Sequence, residues 1–191
     1  MSHSPSMPLA MTDGAPAAAS LARSRVGLML PCAGSFPCDP PPVGLDDPAV
    51  LVTTDFRQTP PITVPEHRLI DEALRDMVRF GVRALLVTRD DAVTGLITSY
   101  DIQGERPLQF LQGSTFSRHA EIEVGHIMTP WEQVPMLEWS MLEAARVNDV
   151  LEIFAGTAAT HLMVVESPTI GAATVRGMIS RTQTQRQLSS R

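Results

Sequence analysis

The residues with the clearest chemical potential lie in one short run, Gly95-Leu96-Ile97-Thr98-Ser99-Tyr100-Asp101. A hydroxyl three residues ahead of a carboxylate at a helix start makes a capping box, in which each side chain serves the other's backbone N–H. Other chemistries lack their parts. The 15 basic residues are all arginine, which excludes a phosphate loop ending in Gly-Lys-Ser/Thr, a Schiff-base lysine and a Ser-x-x-Lys pair. His67, His119, His126 and His161 show no metal-ligand spacing, and Cys32 and Cys38 have no second pair to complete a zinc site. His161, just ahead of an apolar run, reads as a hydrogen-bonded or partly exposed histidine rather than a ligand, and Trp131 and Trp139 read as packing residues. Glu121, Glu123, Glu132 and Glu138 form no acid pair at fixed spacing, so neither a catalytic set nor a metal set is expected.

Composition narrows the partners. Fifteen arginines against 21 acids leave a net charge of −6 over 191 residues, so bulk attraction to nucleic acid or to anionic membrane is absent. A hydrophobic fraction of 43% is enough for a core, and no run of about 18 apolar residues offers a membrane span. The cysteine usage fits a reduced, cytoplasmic protein.

Two copies of one pattern must position the Thr98–Asp101 run. Apolar residues at Ile70, Ala73, Leu74, Met77 and Val78 make a helical stripe, and adding 77 gives Val147, Val150, Leu151, Phe154 and Ala155. Leu85-Leu86-Val87 maps at the same offset onto Leu162-Met163-Val164, each a short buried strand. Turns follow at Asp90-Asp91 and at Ser167-Pro168, and an offset of 82 then brings Gly95-Leu96-Ile97-Thr98 onto Gly177-Met178-Ile179-Ser180. Each copy reads as strand, helix, strand, strand, helix, with first strands at 62–64 and about 134–137. Copy two has four more residues between its first strand and its stripe, so its helix is expected to start a turn early. After the first copy, Gly104-Glu105-Arg106-Pro107 interrupts the helix, which continues as a connector through Leu108, Phe110 and Leu111.

The expected fold is α+β, two pseudo-symmetric repeats packed as one module, since neither repeat alone buries enough surface to be comfortably stable. Residues 1–48 hold nine of the 16 prolines without periodicity and are expected to be a disordered tail that contributes nothing to folding. Its Leu28-Met29-Leu30-Pro31-Cys32 segment has too short an apolar core for a signal peptide. Repeat one spans 49–112, a connector 113–123 and repeat two 124–191.

With Ile127-Met128-Thr129-Pro130 at the start of the second copy, this arrangement resembles a tandem of CBS domains, the cystathionine β-synthase type module or Bateman pair. The resemblance implies regulation rather than catalysis: such pairs bind AMP, ADP, ATP or S-adenosylmethionine in clefts between the repeats. The family's ligand motif is a glycine, two apolar residues, Thr or Ser, two variable residues and Asp. Copy one completes it with Gly95, Thr98 and Asp101. The resemblance gives Asp101 the two ribose hydroxyls, which a carboxylate can take on its two oxygens, and sets Thr98 beside the sugar or first phosphate. Tyr100 covers the sugar or faces solvent, and free N–H groups of the following helix face phosphate. The cap and the ligand role can coexist.

Copy two departs from the motif, because Asp101 maps onto Gln183. Ser180 keeps the hydroxyl, and Arg181 either reaches a phosphate or belongs to a solvated tail, so the second site is expected to be degenerate. The resemblance also implies a homodimer and, with no effector domain in the chain, an unidentified effector protein as partner. The competing reading is a docking or dimerisation module whose clefts stay empty and whose Thr98 and Asp101 only cap a helix.

Overall fold

The computed structural model describes residues 41–90, 92–115, 118–167 and 173–190. In chain order the strands are β1 (Thr53–Asp55), β2 (Thr63–Pro65), β3 (Ala84–Arg89), β4 (Ala92–Thr98), β5 (Thr129–Pro130), β6 (Met136–Glu138), β7 (His161–Glu166) and β8 (Thr174–Ser180). The helices are α1 (Ile70–Phe80), α2 (Ser99–Gln103), α3 (Arg106–Gly113), α4 (Val124–Ile127), α5 (Trp139–Ala144), α6 (Val147–Ala155) and α7 (Arg181–Ser189). The fold is mixed α+β with two four-stranded sheets.

The chain divides into two compact units, one of residues 61–134 and the other of residues 41–60 with 135–190. In the first, the sheet order is β2-β3-β4-β5, with β2 parallel to β3 and the other pairs antiparallel. Its core gathers Val64, Ile70, Met77, Leu85, Val87, Ile97, Ile102, Ile122 and Ile127. In the second, the order is β1-β8-β7-β6, with β6 parallel to β7, around Val43, Leu142, Val147, Val150, Phe154, Leu162, Val164 and Ile179. The repeat extends to its irregularities. The β3–β4 ladder slips between Val87 and Thr88, and the β7–β8 ladder slips between Val164 and Val165, the same place at an offset of 77.

Backbone pairing cuts the chain differently from the division at 49–112, 113–123 and 124–191. β1 precedes the first copy in sequence but pairs with β8 of the second. β5 leads into the second copy but pairs with β4 of the first. The former connector is partly core, since Ile122 is fully buried and its carbonyl takes the N–H of Ile70 at 3.0 Å. That bond caps α1, whose N-cap Leu69 has no polar side chain to offer. At its other end α1 stops at Gly81, where φ of +66° suits glycine.

Of the residues expected in the tail, the segment around Val43 belongs to the fold. Residues 1–40, with Cys32 and Cys38, lie outside the described residues, as do Asp91 and Pro168 of the two turns. Val43, however, is 1% exposed in the core, and its N–H donates to the carbonyl of Gln187 at 3.1 Å. The buried Gln187 amide in turn donates to the carbonyls of Pro41 and Leu51, at 3.1 and 3.3 Å. A proline-rich segment without periodicity is thus ordered by hydrogen bonds to a distant helix.

The helical stripe is also narrower than its sequence pattern. Ile70, Ala73 and Met77 are buried, whereas Val78 is 77% exposed; at the matching position of α6, Ala155 is exposed too. The four extra residues of copy two do not extend its helix. They form the separate helix α5, which ends before Ala145 and Arg146 in extended conformation.

Candidate functional site

Thr98 ends β4, and α2 begins at the next residue. The capping box is fully formed. The Asp101 N–H donates to the Thr98 hydroxyl oxygen at 3.2 Å, while Asp101 Oδ2 accepts from the Thr98 N–H at 2.8 Å and from the Thr98 hydroxyl at 2.7 Å. Both residues are largely buried, Thr98 at 4% exposure and the Asp101 side chain at 13%. The two donors fill the lone pairs of Oδ2, so Oδ1 is the oxygen with acceptor capacity left.

Oδ1 faces Arg106, whose Nη1 lies 3.1 Å away. The same Nη1 donates to the carbonyl of Ile127 at 2.8 Å and to the Thr129 hydroxyl at 3.0 Å. Arg106 comes near Asp101 because α2 stops at Gly104, where a side chain would meet the Tyr100 carbonyl at 2.5 Å, and α3 starts at Arg106 itself. Sequence reading placed Arg106 in the helix break at 104–107 and gave it no role. The available signal was an arginine two residues after a glycine break and five residues past the motif carboxylate.

Gly95 serves the sheet. A Cβ there would lie 2.5 Å from the Thr129 carbonyl oxygen, so only glycine lets β5 approach β4 this closely. Tyr100 is about half exposed, with its hydroxyl 3.5 Å from Nη1 of the exposed Arg83. The N-terminus of α2, expected to face phosphate, belongs to a helix of five residues, and its Asp101 N–H is already spent on Thr98.

In the other unit, Ser180 is the N-cap of α7 without a side-chain capping bond, and Gln183 follows three residues later. Arg181 is tied inward: one Nη2 donates to the carbonyls of Phe154 and Thr157, and its guanidinium lies 5.2 Å from the Phe154 ring centroid. It caps the C-terminal end of α6, as a cation suits that end of a helix. Ser180 and Arg181 therefore do not reproduce the Thr98–Asp101 pair. The buried His161 bonds the Thr160 hydroxyl at 2.9 Å. The buried Trp131 packs near β4, and Trp139 lies 4.0 Å beneath the Arg176 guanidinium.

Arg176 anchors Asp55, a carboxylate whose titration is displaced. Burial works to raise the Asp55 carboxyl, but the Arg176 hydrogen bonds, the Arg57 N–H and both guanidinium charges outweigh it and hold it below its ordinary value. This pair ties β1 to β8 and is structural. A cleft of about 630 Å³ in the 61–134 unit, lined by Glu66, His67, Arg89 and His126 among others, lies at the end of β3 away from Thr98 and contains none of the motif residues. Among the described residues no group of three or more His, Cys, Asp or Glu could hold a metal ion, and no helix is long and apolar enough to cross a membrane.

Comparison with known proteins places these features. Residues 52–106 match the CBS domain family model. The fold is shared with an uncharacterized conserved protein from Pyrococcus horikoshii, at 21% identity and a TM-score of 0.53 over 78% of this chain and 96% of that one. It is also shared with a protein with CBS domains from Burkholderia ambifaria MC40-6, at 22% identity and a TM-score of 0.50 over 68% and 82% of the two chains. Among curated proteins no sequence match is found. Residues 52–106 are thus similar to a CBS domain, and the chain shares its fold with these structural relatives.

Proposed function

We propose that this chain is a cytoplasmic regulatory module that senses an adenosyl ligand, AMP, ADP, ATP or S-adenosylmethionine, through Thr98 and Asp101, and passes its occupancy to an effector protein. The observation that carries this reading is the Asp101 carboxylate at the family's ligand position, mostly buried and fixed by Thr98, with acceptor capacity left on Oδ1. Ligand binding would favour one conformation of the module over another and so change the surface offered to the partner. Exposed apolar side chains such as Val78 and Leu108 support the expectation of a homodimer, which sedimentation at micromolar concentration tests; a clean monomer with and without nucleotide removes it.

Calorimetric titration of the four ligands is the direct test. One site per chain is expected, because Gln183 offers a neutral amide where Asp101 offers a carboxylate. Asp101→Ala should weaken binding by about 1.5–3 kcal/mol, roughly ten- to 150-fold, and Gln183→Ala should do little. Equal binding by wild type and Asp101→Ala would sink the ribose assignment. The closed capping box favours a second reading, a docking module in which Thr98 and Asp101 only start α2. Absence of binding by any adenosyl ligand to nucleotide-free protein would decide for it.

A further inference from the structure

Arg106 uses one nitrogen for all its contacts within the fold. Nη1 meets Asp101 Oδ1, the Ile127 carbonyl and the Thr129 hydroxyl. The N–H groups on Nε and Nη2 take no partner among the described residues, and the side chain is 44% exposed. Those two nitrogens form the side-on edge of the guanidinium, the fork that matches two oxygens of a phosphate. Three contacts at Nη1 hold the plane in place, so little rotamer entropy remains to be lost when an anion docks. Arg181 offers the contrast, since it spends Nη2, one half of that side-on edge, on two carbonyls of its own unit.

We propose that Arg106 is the phosphate-binding residue of this site and sets its ligand class: a phosphorylated nucleoside, in preference to the free nucleoside or to S-adenosylmethionine. The inference rests on the reading that Asp101 holds the ribose, and it adds which end of the ligand gives discrimination. The exposed Arg83, beside Tyr100, adds positive charge at the same end of β4.

The test is titration of AMP, ADP, ATP, adenosine and S-adenosylmethionine into wild type, Arg106→Gln, Arg106→Lys and Asp101→Ala. Wild type should bind AMP about tenfold or more tighter than adenosine, the worth of a charge-assisted hydrogen bond. Arg106→Gln should lose that preference by weakening AMP while leaving adenosine within about twofold, and Arg106→Lys should retain part of it. A wild-type preference near one overturns the proposal without any variant, as does S-adenosylmethionine binding tighter than every phosphorylated ligand. Equal losses of AMP and adenosine in a folded Arg106→Gln protein also overturn it, because they mark a merely structural role. Failure of Asp101→Ala to weaken any ligand removes the ribose assignment, whereas weakening by Asp101→Ala with no phosphate preference removes only the role of Arg106. No binding of any ligand to wild type removes both.

Discussion

Gly95 and Thr129 meet backbone to backbone: a Cβ on Gly95 would stand 2.5 Å from the Thr129 carbonyl oxygen. Gly177 stands in the same relation to Thr54, also at 2.5 Å. In both sheets, the glycine that opens the motif-bearing segment is where a short edge strand closes on its neighbour. Gly95→Ala should therefore cost about 1–3 kcal/mol, the usual penalty of overpacking, because neither backbone can yield as a flexible side chain would. Gly177→Ala should cost a similar amount. Denaturant unfolding of the two variants checks this, and wild-type stability in either one contradicts the close approach.

Val43 and Gln187 make the segment just past Pro41 part of the folded unit. Val43→Ala removes two buried methyl groups, about 1.6 kcal/mol at roughly 0.8 each. Deleting residues 1–45 should lower the melting temperature by more than about 4 °C, since it also removes the Pro41 carbonyl that accepts from Gln187. An unchanged transition after this deletion would place the start of the folded unit after Leu45.

The Asp55–Arg176 pair gives a stability that depends on acid. The folded carboxyl titrates below its ordinary value, so its contribution is fully present above the unfolded value of about 3.9 and is lost as pH falls through the folded one. Wild type should thus be more stable than Asp55→Asn at pH 7 and pH 5, and the gap should shrink as pH drops below about 4. Urea unfolding of both proteins from pH 7 to pH 3 measures it; a gap that stays constant or widens toward acid contradicts the assignment.

Arg181 belongs to the scaffold. Arg181→Ala should leave the Phe154 and Thr157 carbonyls without their donor and cost about 1–3 kcal/mol, while AMP affinity at Asp101 stays within about twofold. Thermal unfolding and calorimetry on the same sample separate the two effects. A stable variant with weakened AMP binding would return Arg181 to the ligand site.

Local information was enough for much of this protein. The stripes beginning at Ile70 and Val147, the strands around Leu85 and Leu162, the helix break at Gly104 and the capping box of Thr98 and Asp101 each follow from periodicity or from groups within a few residues of one another. Those interactions are short in sequence, so the residues themselves carry them. Contacts between distant segments left no such trace. The pairing of Thr53–Asp55 with β8, the ordering of Val43 by Gln187 and the capping of α1 by Ile122 join residues that no local pattern links. Val78 shows the same limit from the other side, since its place on an apolar stripe did not decide whether anything would cover it. Arg106 is the sharpest case. Its charge was plain in the sequence, but its contact with Asp101 depends on how Gly104 turns the chain and on where the fold brings Ile127 and Thr129.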